Sequence, residues 1–224
     1  MKVRKRRRIS RAKYTILFKS FVADIPACKA GLIAGVNRKT ADRYYSLFRA
    51  AIINAAIEER RKVKLKDGVE IDESYFGPKR IKGKKGRGAG KKIIVLGLLK
   101  REGRIYTQII KNTQREQVMP IIRKVVQSGS DIYTDGWKSY HALAVLGYDH
   151  KRVKHQENEF VNKRDRKAHI NGVESYWSWI KRRLAKFNGM KKKQFQNQLL
   201  ESEWRFNHRH NLISDLKRLL KIIS

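Results

Sequence analysis

The sequence predicts a small all-α module followed by a mixed α/β core. Three observations lead to this fold class. Between Arg11 and Arg61, apolar side chains recur at the three- and four-residue spacing of amphipathic helices. After Lys64, short apolar or alternating runs typical of strands are interspersed with helical segments. Hydrophobic residues make up 41% of the 224 residues, which is enough for a packed core and excludes a disordered basic tail.

The N-terminal module is predicted to contain a basic arm and three helices. Residues 1–8 hold six basic residues, and the first helix is predicted from Arg11. A short helix follows between Pro26, a favoured first-turn residue, and Gly35, and a long helix follows an Asn37 N-cap. Three helices with a tight Gly-Val-Asn turn between the last two match a helix-turn-helix.

The first turn of the third helix carries the residues that a helix-turn-helix presents to DNA. In that motif this turn enters the major groove. Here it holds Arg38 and Lys39, and Arg43 follows one turn later. We expect these three side chains to bind DNA. The alternative is a helical dimerisation or capping domain with an ordinary basic surface.

The core is predicted from elements in the order strand, strand, strand, helix, strand, helix, strand, helix. The first three strands are VEIDESYF, KIIVLGLLK and GRIYTQIIK, with a hairpin at REG between the last two. The helix TQREQVMPIIRKVVQS contains Pro120, which should disturb it or mark its start. The remaining elements are DIYTDG, WKSYHALAVL, DHKRVKH and NGVESYWSWIKRRLAKF. The RNase H-like fold has this order, and other α/β folds share it.

A basic, glycine-rich loop is predicted between the first two strands. Positions 79–92 hold eight basic residues and four glycines. Such a loop is either a solvated connection or a flexible contact to phosphates that adds sequence-independent affinity. Because no Lys in it is followed by Ser or Thr, it is not a P-loop. We therefore expect no nucleotide cofactor.

The charge of the chain indicates a polyanionic partner. Lys and Arg number 54 against 20 Asp and Glu, a formal net charge of +34, and the basic residues are spread along the whole chain. This distribution favours nucleic acid over a membrane, which would call for one basic amphipathic helix. The longest apolar run, IIVLGLL, is too short to cross a bilayer. We expect a cytoplasmic, nucleoid-associated protein without a membrane partner.

Three carboxylates on separate elements are the candidate catalytic and metal-binding residues. Asp72 lies in the first strand, Asp135 ends the fourth strand, and Glu174 lies near the start of the last helix. In an RNase H-like sheet the first and fourth strands are central neighbours and the last helix crosses them, which brings these side chains together. Oxygen-only ligands select Mg²⁺ or Mn²⁺. Two such ions about 4 Å apart support in-line phosphoryl transfer.

The individual acids also have structural explanations. Asp135 precedes a glycine and could form a turn. Glu174 stands three residues after Asn171, which is the spacing of a capping box. Glu73 is most simply a surface or ion-paired acid. Glu70 shares a strand face with the first candidate ligand and is a candidate supporting group.

Several linked motifs resemble the DDE transposases of small bacterial insertion sequences. They are VEIDESYFG, GRGAGKKIIVLGLLKREGRIYTQIIKNTQ, IYTDGWKSYHAL, HINGVESYWSWIKRRLAKFNG and ESEWRFNHR, and they cover about residues 66–210. The likeness is to the branch whose core opens with a DESYFG strand. The resemblance implies that Asp72, Asp135 and Glu174 are the metal-binding catalytic triad.

The last predicted helix also carries the basic residues expected to hold a DNA strand. Lys181, seven residues after Glu174 on the same helical face, takes the place of the basic residue that contacts DNA in the family that the chain resembles. Arg182 and Arg183 follow it and are expected to hold the strand with it. Trp177, one turn after Glu174, either stacks on a displaced base or packs in the core, and core packing is the preferred interpretation.

The resemblance implies an activity and a set of partners. A transposase binds the terminal inverted repeats of its element, hydrolyses a phosphodiester at each end and joins the 3′-OH to target DNA without ATP. Two Mg²⁺ or Mn²⁺ ions would stabilise charge and orient the reacting groups. Since two ends must be joined together, we expect a homodimer or a larger assembly. The alternatives are an RNase H-like DNA nuclease that cuts without joining, and a catalytically silent DNA-binding derivative of a transposase.

The division of the chain follows from the same comparison. Many relatives carry an N-terminal cysteine zinc ribbon, which a chain whose single cysteine is Cys28 cannot form. End recognition is therefore expected from the helical module and the basic arm. We predict a DNA-binding module at 1–64, an RNase H-like DDE core at 65–190 and a helical extension at 191–224.

Overall fold

The structure is a computed structural model that describes residues 9–77, 92–135, 147–153, 169–187 and 190–223. Seven helices and five strands lie in these stretches: α1 (Arg11–Val22), α2 (Ala27–Ile33), α3 (Arg38–Lys62), β1 (Val69–Phe76), β2 (Ile93–Lys100), β3 (Ile105–Ile110), α4 (Arg115–Val125), β4 (Asp131–Thr134), β5 (Asp149–Arg152), α5 (Asn171–Leu184), α6 (Lys192–Asn207) and α7 (Leu212–Ile223). The basic arm, the helix expected at WKSYHALAVL and nearly all of the loop at 79–92 lie outside the described residues.

Contacts divide the chain into two compact units. One contains Met1–Ala56 and His208–Ser224, and the other contains Ile57–Asn207. This division groups α6 with the sheet and α7 with the first helices. The functional boundaries expected at residues 64 and 190 stay a prediction. Within the described residues, no helix combines the length and hydropathy needed to cross a membrane.

The helical unit is held together by aromatic side chains from α1 and α3. Phe21 contacts Tyr45 and Phe48 edge to face, with ring centroids 5.0 and 5.2 Å apart. Asn37 caps α3, because its Oδ1 accepts the Thr40 amide at 2.8 Å. The turn before it places Gly35 at φ +59°, a conformation that glycine adopts without steric cost. The predicted helices and turn are confirmed.

The core is built on a five-stranded mixed sheet. The strand order is β3-β2-β1-β4-β5. Strands β1, β2 and β3 form an antiparallel meander, whereas β4 pairs in parallel with β1 and β5 in parallel with β4. This is the RNase H-like topology that the element order predicted. It places β1 at the centre of the sheet, with β4 as its neighbour.

Each face of the sheet packs against a helix. Alternate residues of β1 and β2, such as Ile71 and Leu98, join the α4 side, where Ile122 is buried. The other face packs against α5 through residues such as Val95 and Ile180. Because side chains alternate along a strand, the neighbours of Ile71 in β1 point toward α5. Glu70 and Asp72 therefore lie on the α5 face.

The proline in α4 neither starts nor interrupts the helix. The helix begins at Arg115 with Gln114 as N-cap and continues through Pro120 to Val125. A proline removes one backbone donor and costs stability inside a helix. Here the buried apolar side chains of α4, including Val118 and Ile122, hold the segment helical against the sheet.

Candidate active site

Two of the three candidate acids lie side by side on the central strands. In the parallel ladder between β1 and β4, Glu70 pairs with Tyr133. Asp72 stands two residues further along β1, and Asp135 stands two residues further along the chain from Tyr133, directly after β4. Since side chains repeat every second residue, both carboxylates belong to the face that α5 covers. The strand pairing explains why residues 63 positions apart act on one another.

The third acid, Glu174, lies in the first turn of α5. The alternative explanation of Glu174 as part of a capping box with Asn171 does not fit, because the helix begins at Asn171 and its N-cap is Ile170, with no side-chain cap bond. The amide that a cap would satisfy is taken by another residue. Val173 N donates to Oε2 of Glu70 at 2.9 Å. The Val173 amide in the first turn is therefore satisfied without the carboxylate of Glu174.

The electrostatics of Asp72 link the three acids. The pKa of Asp72 is raised from 3.8 to about 6, chiefly by burial and also by the negative charges of Asp135 and Glu174. Hydrogen bonds from the Glu73 backbone and from the Trp177 indole lower it. Like charges disfavour ionisation of a neighbouring carboxyl group. The site thus has an excess of negative charge that a cation would relieve.

The donor set of the three acids fits a hard divalent cation. All candidate ligand atoms are carboxylate oxygens, which Mg²⁺ and Mn²⁺ prefer. In the part of the chain that the structure describes, no three metal-ligating side chains converge on one point as they stand. Carboxylates repel one another when no cation lies between them, so convergence requires movement of the side chains as an ion binds. The metal-binding triad stays a prediction, and the described residues do not form a preformed metal cage.

Trp177 packs in the core and also contacts Asp72. The indole is buried, and its Nε1–H donates to Oδ2 of Asp72 at 3.0 Å. It lies over Gly97, the residue of β2 that pairs with Asp72. A Cβ at Gly97 would lie 2.5 Å from Cζ2 of the indole, so only glycine leaves room for it. Core packing was predicted, whereas the bond to Asp72 was not. The sequence signal for this contact was Gly97 itself, because a glycine inside an apolar strand indicates that another group approaches the backbone closely.

Lys181 and Arg182 lie on the accessible side of α5. Lys181 is exposed, and its Nζ lies 5.9 Å from the ring centroid of Phe76 in β1. Arg182 lines a cleft of about 540 Å³ together with Asn171, Glu174, Ser175 and Ser178. The cleft joins a guanidinium, two hydroxyl groups and the carboxylate of Glu174 along one helix face. These groups are positioned so that a strand of DNA could reach them.

Arg183 does not agree with the prediction that it holds DNA. Its side chain is 3% exposed, and it pairs with Glu201 of α6 at 2.7 Å. It also donates to the Ser202 hydroxyl at 2.7 Å and to Gln198 Oε1 at 3.3 Å. A buried guanidinium that carries these bonds fixes α6 on α5. We therefore assign Arg183 a structural role, and it is not available to a phosphate in this structure.

The three candidate DNA-contacting residues of the helical unit are exposed at the start of α3. Arg38, Lys39 and Arg43 all lie on the solvent side of the helix. Arg38 makes an ion pair with Asp42 at 3.6 Å, with 81% of its side chain exposed. An exposed pair of this kind contributes little to stability. These side chains remain free to move toward a ligand.

Comparisons with known proteins place the chain among transposases. Residues 64–207 match the model of a family described as the ISXO2-like transposase domain. An uncharacterized transposase-like protein of Haemophilus influenzae is 39% identical over 120 residues, which are 53% of this chain and 94% of that protein. The family match includes β1, β4 and α5, the elements that carry the three acids.

Among solved structures, the chain is similar to complexes of the Mos1 transposase. The Mos1 strand transfer complex is 13% identical with a TM-score of 0.43, covering 99% of this chain and 81% of that chain. The Mos1 catalytic domain is 12% identical with a TM-score of 0.38, covering 78% of this chain and 91% of that chain. The Mos1 paired-end complex with Mg is 14% identical with a TM-score of 0.37, covering 99% and 82%.

Proposed function

Since the chain belongs to the ISXO2-like transposase family, we propose that it is the transposase of a bacterial insertion sequence, which cleaves the ends of its element and joins them to target DNA. The observation that carries this proposal is the pairing of β1 with β4 on the face that α5 covers, which sets Asp72 beside Asp135, and the charges of Asp135 and Glu174 both raise the pKa of Asp72. Three acids from β1, β4 and α5 that influence one another on one face of an RNase H-like sheet suit metal-dependent phosphoryl transfer.

We propose Asp72, Asp135 and Glu174 as the catalytic residues and as the ligands of Mg²⁺ or Mn²⁺. When bound, two such ions stabilise the attacking and leaving oxygens of an in-line displacement. The protein's part is to hold three carboxylates toward one point, and Trp177 fixes one of them through its indole N–H. Lys181 and Arg182, exposed on α5, are placed to bind phosphates beside the acids.

The DNA partners are proposed to be the terminal inverted repeats and a target duplex. Residues 1–64 would recognise the repeats through Arg38, Lys39 and Arg43, while residues 65–190 would carry the chemistry and residues 191–224 would form a helical extension. The net charge of +34 supports strong, salt-dependent binding to any DNA, on which base contacts add specificity. Because two ends must be joined, a homodimer or larger assembly on paired ends is proposed. Because the proposed substrate is DNA, the cytoplasmic nucleoid is the proposed place of action.

Joining of a precut end to a plasmid separates this function from its alternatives. With Mg²⁺, the wild type should produce strand-transfer products, and Asp72→Asn should produce none, because an amide is a poor Mg²⁺ ligand. The matched control is Asp131→Asn, which removes an acid at the opposite end of β4 from Asp135, where it pairs with Lys151 at 3.2 Å. It should join at the wild-type rate. Cleavage without joining by the wild type would indicate a nuclease, and DNA binding without either reaction would indicate a silent derivative.

A further inference from the structure

A polar cluster around the buried carboxylate of Glu70 connects the elements that carry the three acids. We call it the support cluster; it consists of Glu70, Arg101, Tyr133 and the backbone of His169 and Val173. We propose that Glu70 and Arg101 are positioning residues that hold the three acids in the arrangement needed to bind the metal ions. The inference rests on the proposed function and assigns roles to two residues that do not touch the reacting atoms.

Glu70 joins β1 to the first turn of α5. The residue is 1% exposed, and its Oε2 accepts the Val173 amide at 2.9 Å. The first amides of a helix have no partner within the helix, so this bond fixes the helix start. A Cβ at Gly172 would lie 2.8 Å from the same oxygen, so the carboxylate fits against a position that only glycine leaves open. The residue after Val173 is Glu174.

Arg101 holds the other side of the Glu70 carboxylate. Its Nε donates to Oε1 of Glu70 at 3.1 Å, and its NH2 group donates to the His169 carbonyl at 2.7 Å. The His169 ring also approaches the same carboxylate, with Nδ1 at 3.4 Å from Oε1. The guanidinium lies over the Tyr133 ring, 3.6 Å from its centroid. Arg101 therefore contacts β1, β4 and the segment that leads into α5.

The support cluster reaches all three candidate ligands through short backbone paths. Glu70 precedes Asp72 by two residues in β1, and Tyr133 precedes Asp135 by two residues at β4. Val173 directly precedes Glu174. Because strands and helix turns are stiff over two residues, a shift within the cluster moves the carboxylates relative to one another. Groups that orient metal ligands typically change metal affinity or activity about 10–100-fold when they are replaced.

The test compares two buried carboxylates of the same kind. Glu203 in α6 is 3% exposed, pairs with Arg60 at 2.6 Å and accepts the Thr107 amide at 2.7 Å. Like Glu70, it joins a helix to the sheet through an arginine and a backbone amide, but the elements that it joins, α6 and β3, carry none of the three acids. Glu70→Gln and Glu203→Gln should therefore lower the melting temperature in similar ways. Only Glu70→Gln should alter the metal requirement.

Two readouts are measured on the full chain bound to precut end DNA. The first is Mn²⁺ binding followed by electron paramagnetic resonance, and the second is the Mg²⁺ concentration that gives half-maximal joining. We expect Glu70→Gln to weaken Mn²⁺ binding about tenfold or more and to raise the Mg²⁺ requirement by a similar factor. Glu203→Gln should stay within twofold of the wild type in both readouts. If Glu70→Gln does not fold, Arg101→Lys carries the comparison, with Arg60→Lys as its control.

The outcomes separate this inference from the proposed function. If the wild type joins DNA but Glu70→Gln and Glu203→Gln show the same metal dependence, the positioning role alone is overturned. A wild type that neither binds Mn²⁺ nor joins DNA would overturn the proposed function and the positioning role with it. The proposal predicts weaker Mn²⁺ binding and a higher Mg²⁺ requirement in Glu70→Gln and Arg101→Lys, with neither change in the two controls. That result would show that the support cluster arranges the metal ligands.

Discussion

Replacing Gly97 by alanine adds one methyl group opposite Asp72, and its effect follows from the packing of Trp177. The new Cβ would lie 2.5 Å from Cζ2 and 2.9 Å from Cη2 of the indole. Carbon atoms in contact are normally about 3.5–4.0 Å apart. The indole must therefore move away from the sheet by about 1 Å, or the strand must shift by a similar distance.

This displacement acts on the bond between the indole and Asp72. The Nε1 atom now lies 3.0 Å from Oδ2 of Asp72, and a further 1 Å or so breaks a hydrogen bond. Overpacking should lower the free energy of unfolding by about 1–3 kcal/mol. The loss of a donor to a metal ligand should raise the Mg²⁺ concentration for half-maximal joining about tenfold or more. Thermal unfolding and a Mg²⁺ titration of strand joining measure the two effects.

The double variant Gly97→Ala with Trp177→Phe separates packing from hydrogen bonding. Phenylalanine lacks the outer part of the indole that meets the new methyl group, so the double variant should be more stable than Gly97→Ala. It also lacks the N–H, so its Mg²⁺ requirement should stay high. Wild-type stability of Gly97→Ala would refute the packing argument. A wild-type Mg²⁺ requirement in Trp177→Phe would refute the role of the indole.

Three further predictions concern metal binding, DNA recognition and pH. Asp135→Asn should abolish cleavage and joining, while binding to end DNA persists. A joining assay and a gel-shift assay measure the two properties. Near wild-type cleavage in Mg²⁺ would exclude this residue as a ligand. Arg38→Ala and Arg43→Ala should each weaken binding to terminal-repeat DNA relative to random DNA by about 1–3 kcal/mol. The control Arg61→Ala, at the other end of α3, should not have this effect. Equal losses of affinity for both DNAs would exclude the recognition role. In metal-free protein, the raised pKa of Asp72, about 6 against 3.8 when unfolded, means that protonation favours folding. Its contribution is fully present below pH 4 and is lost as pH rises through 6, by about 3 kcal/mol in total. Asp72→Asn should flatten this part of the stability profile, and an unchanged profile would show that Asp72 does not titrate there.

The elements and the positions of the acids could be predicted because they depend on local patterns. The alternation of apolar residues around Asp72 defined β1 and the face on which the acid lies. The turn after β4 placed Asp135 at a strand end, and the helical spacing after Asn171 defined α5. The pairing of β1 with β4 followed from the element order alone. These features need no knowledge of contacts between distant residues.

The supporting contacts could not be predicted, because each joins residues far apart in the chain. Arg183 continues the basic run that begins at Lys181, and only its burial against Glu201 shows that it is structural. The spacing of Asn171 and Glu174 suggested a capping box, but Glu70, 103 residues before Val173, supplies the bond instead. Tertiary packing decides which of several possible partners a side chain or an amide binds. The residue pattern of a single helix or strand does not reveal that choice.

The central claim is that Glu174 completes a metal-binding triad with Asp72 and Asp135, and strand joining by Glu174→Gln tests it most directly. Glutamine keeps the size and the hydrogen-bonding reach of glutamate but lacks the charge and the second carboxylate oxygen that a Mg²⁺ ligand provides. Glu70, and not this side chain, bonds the Val173 amide in the first turn of the helix. With a precut end, a plasmid target and saturating Mg²⁺, we predict that joining falls by orders of magnitude while end binding and metal-free melting temperature are retained. Joining at the wild-type rate would contradict the account, because the third metal ligand would then be a different residue.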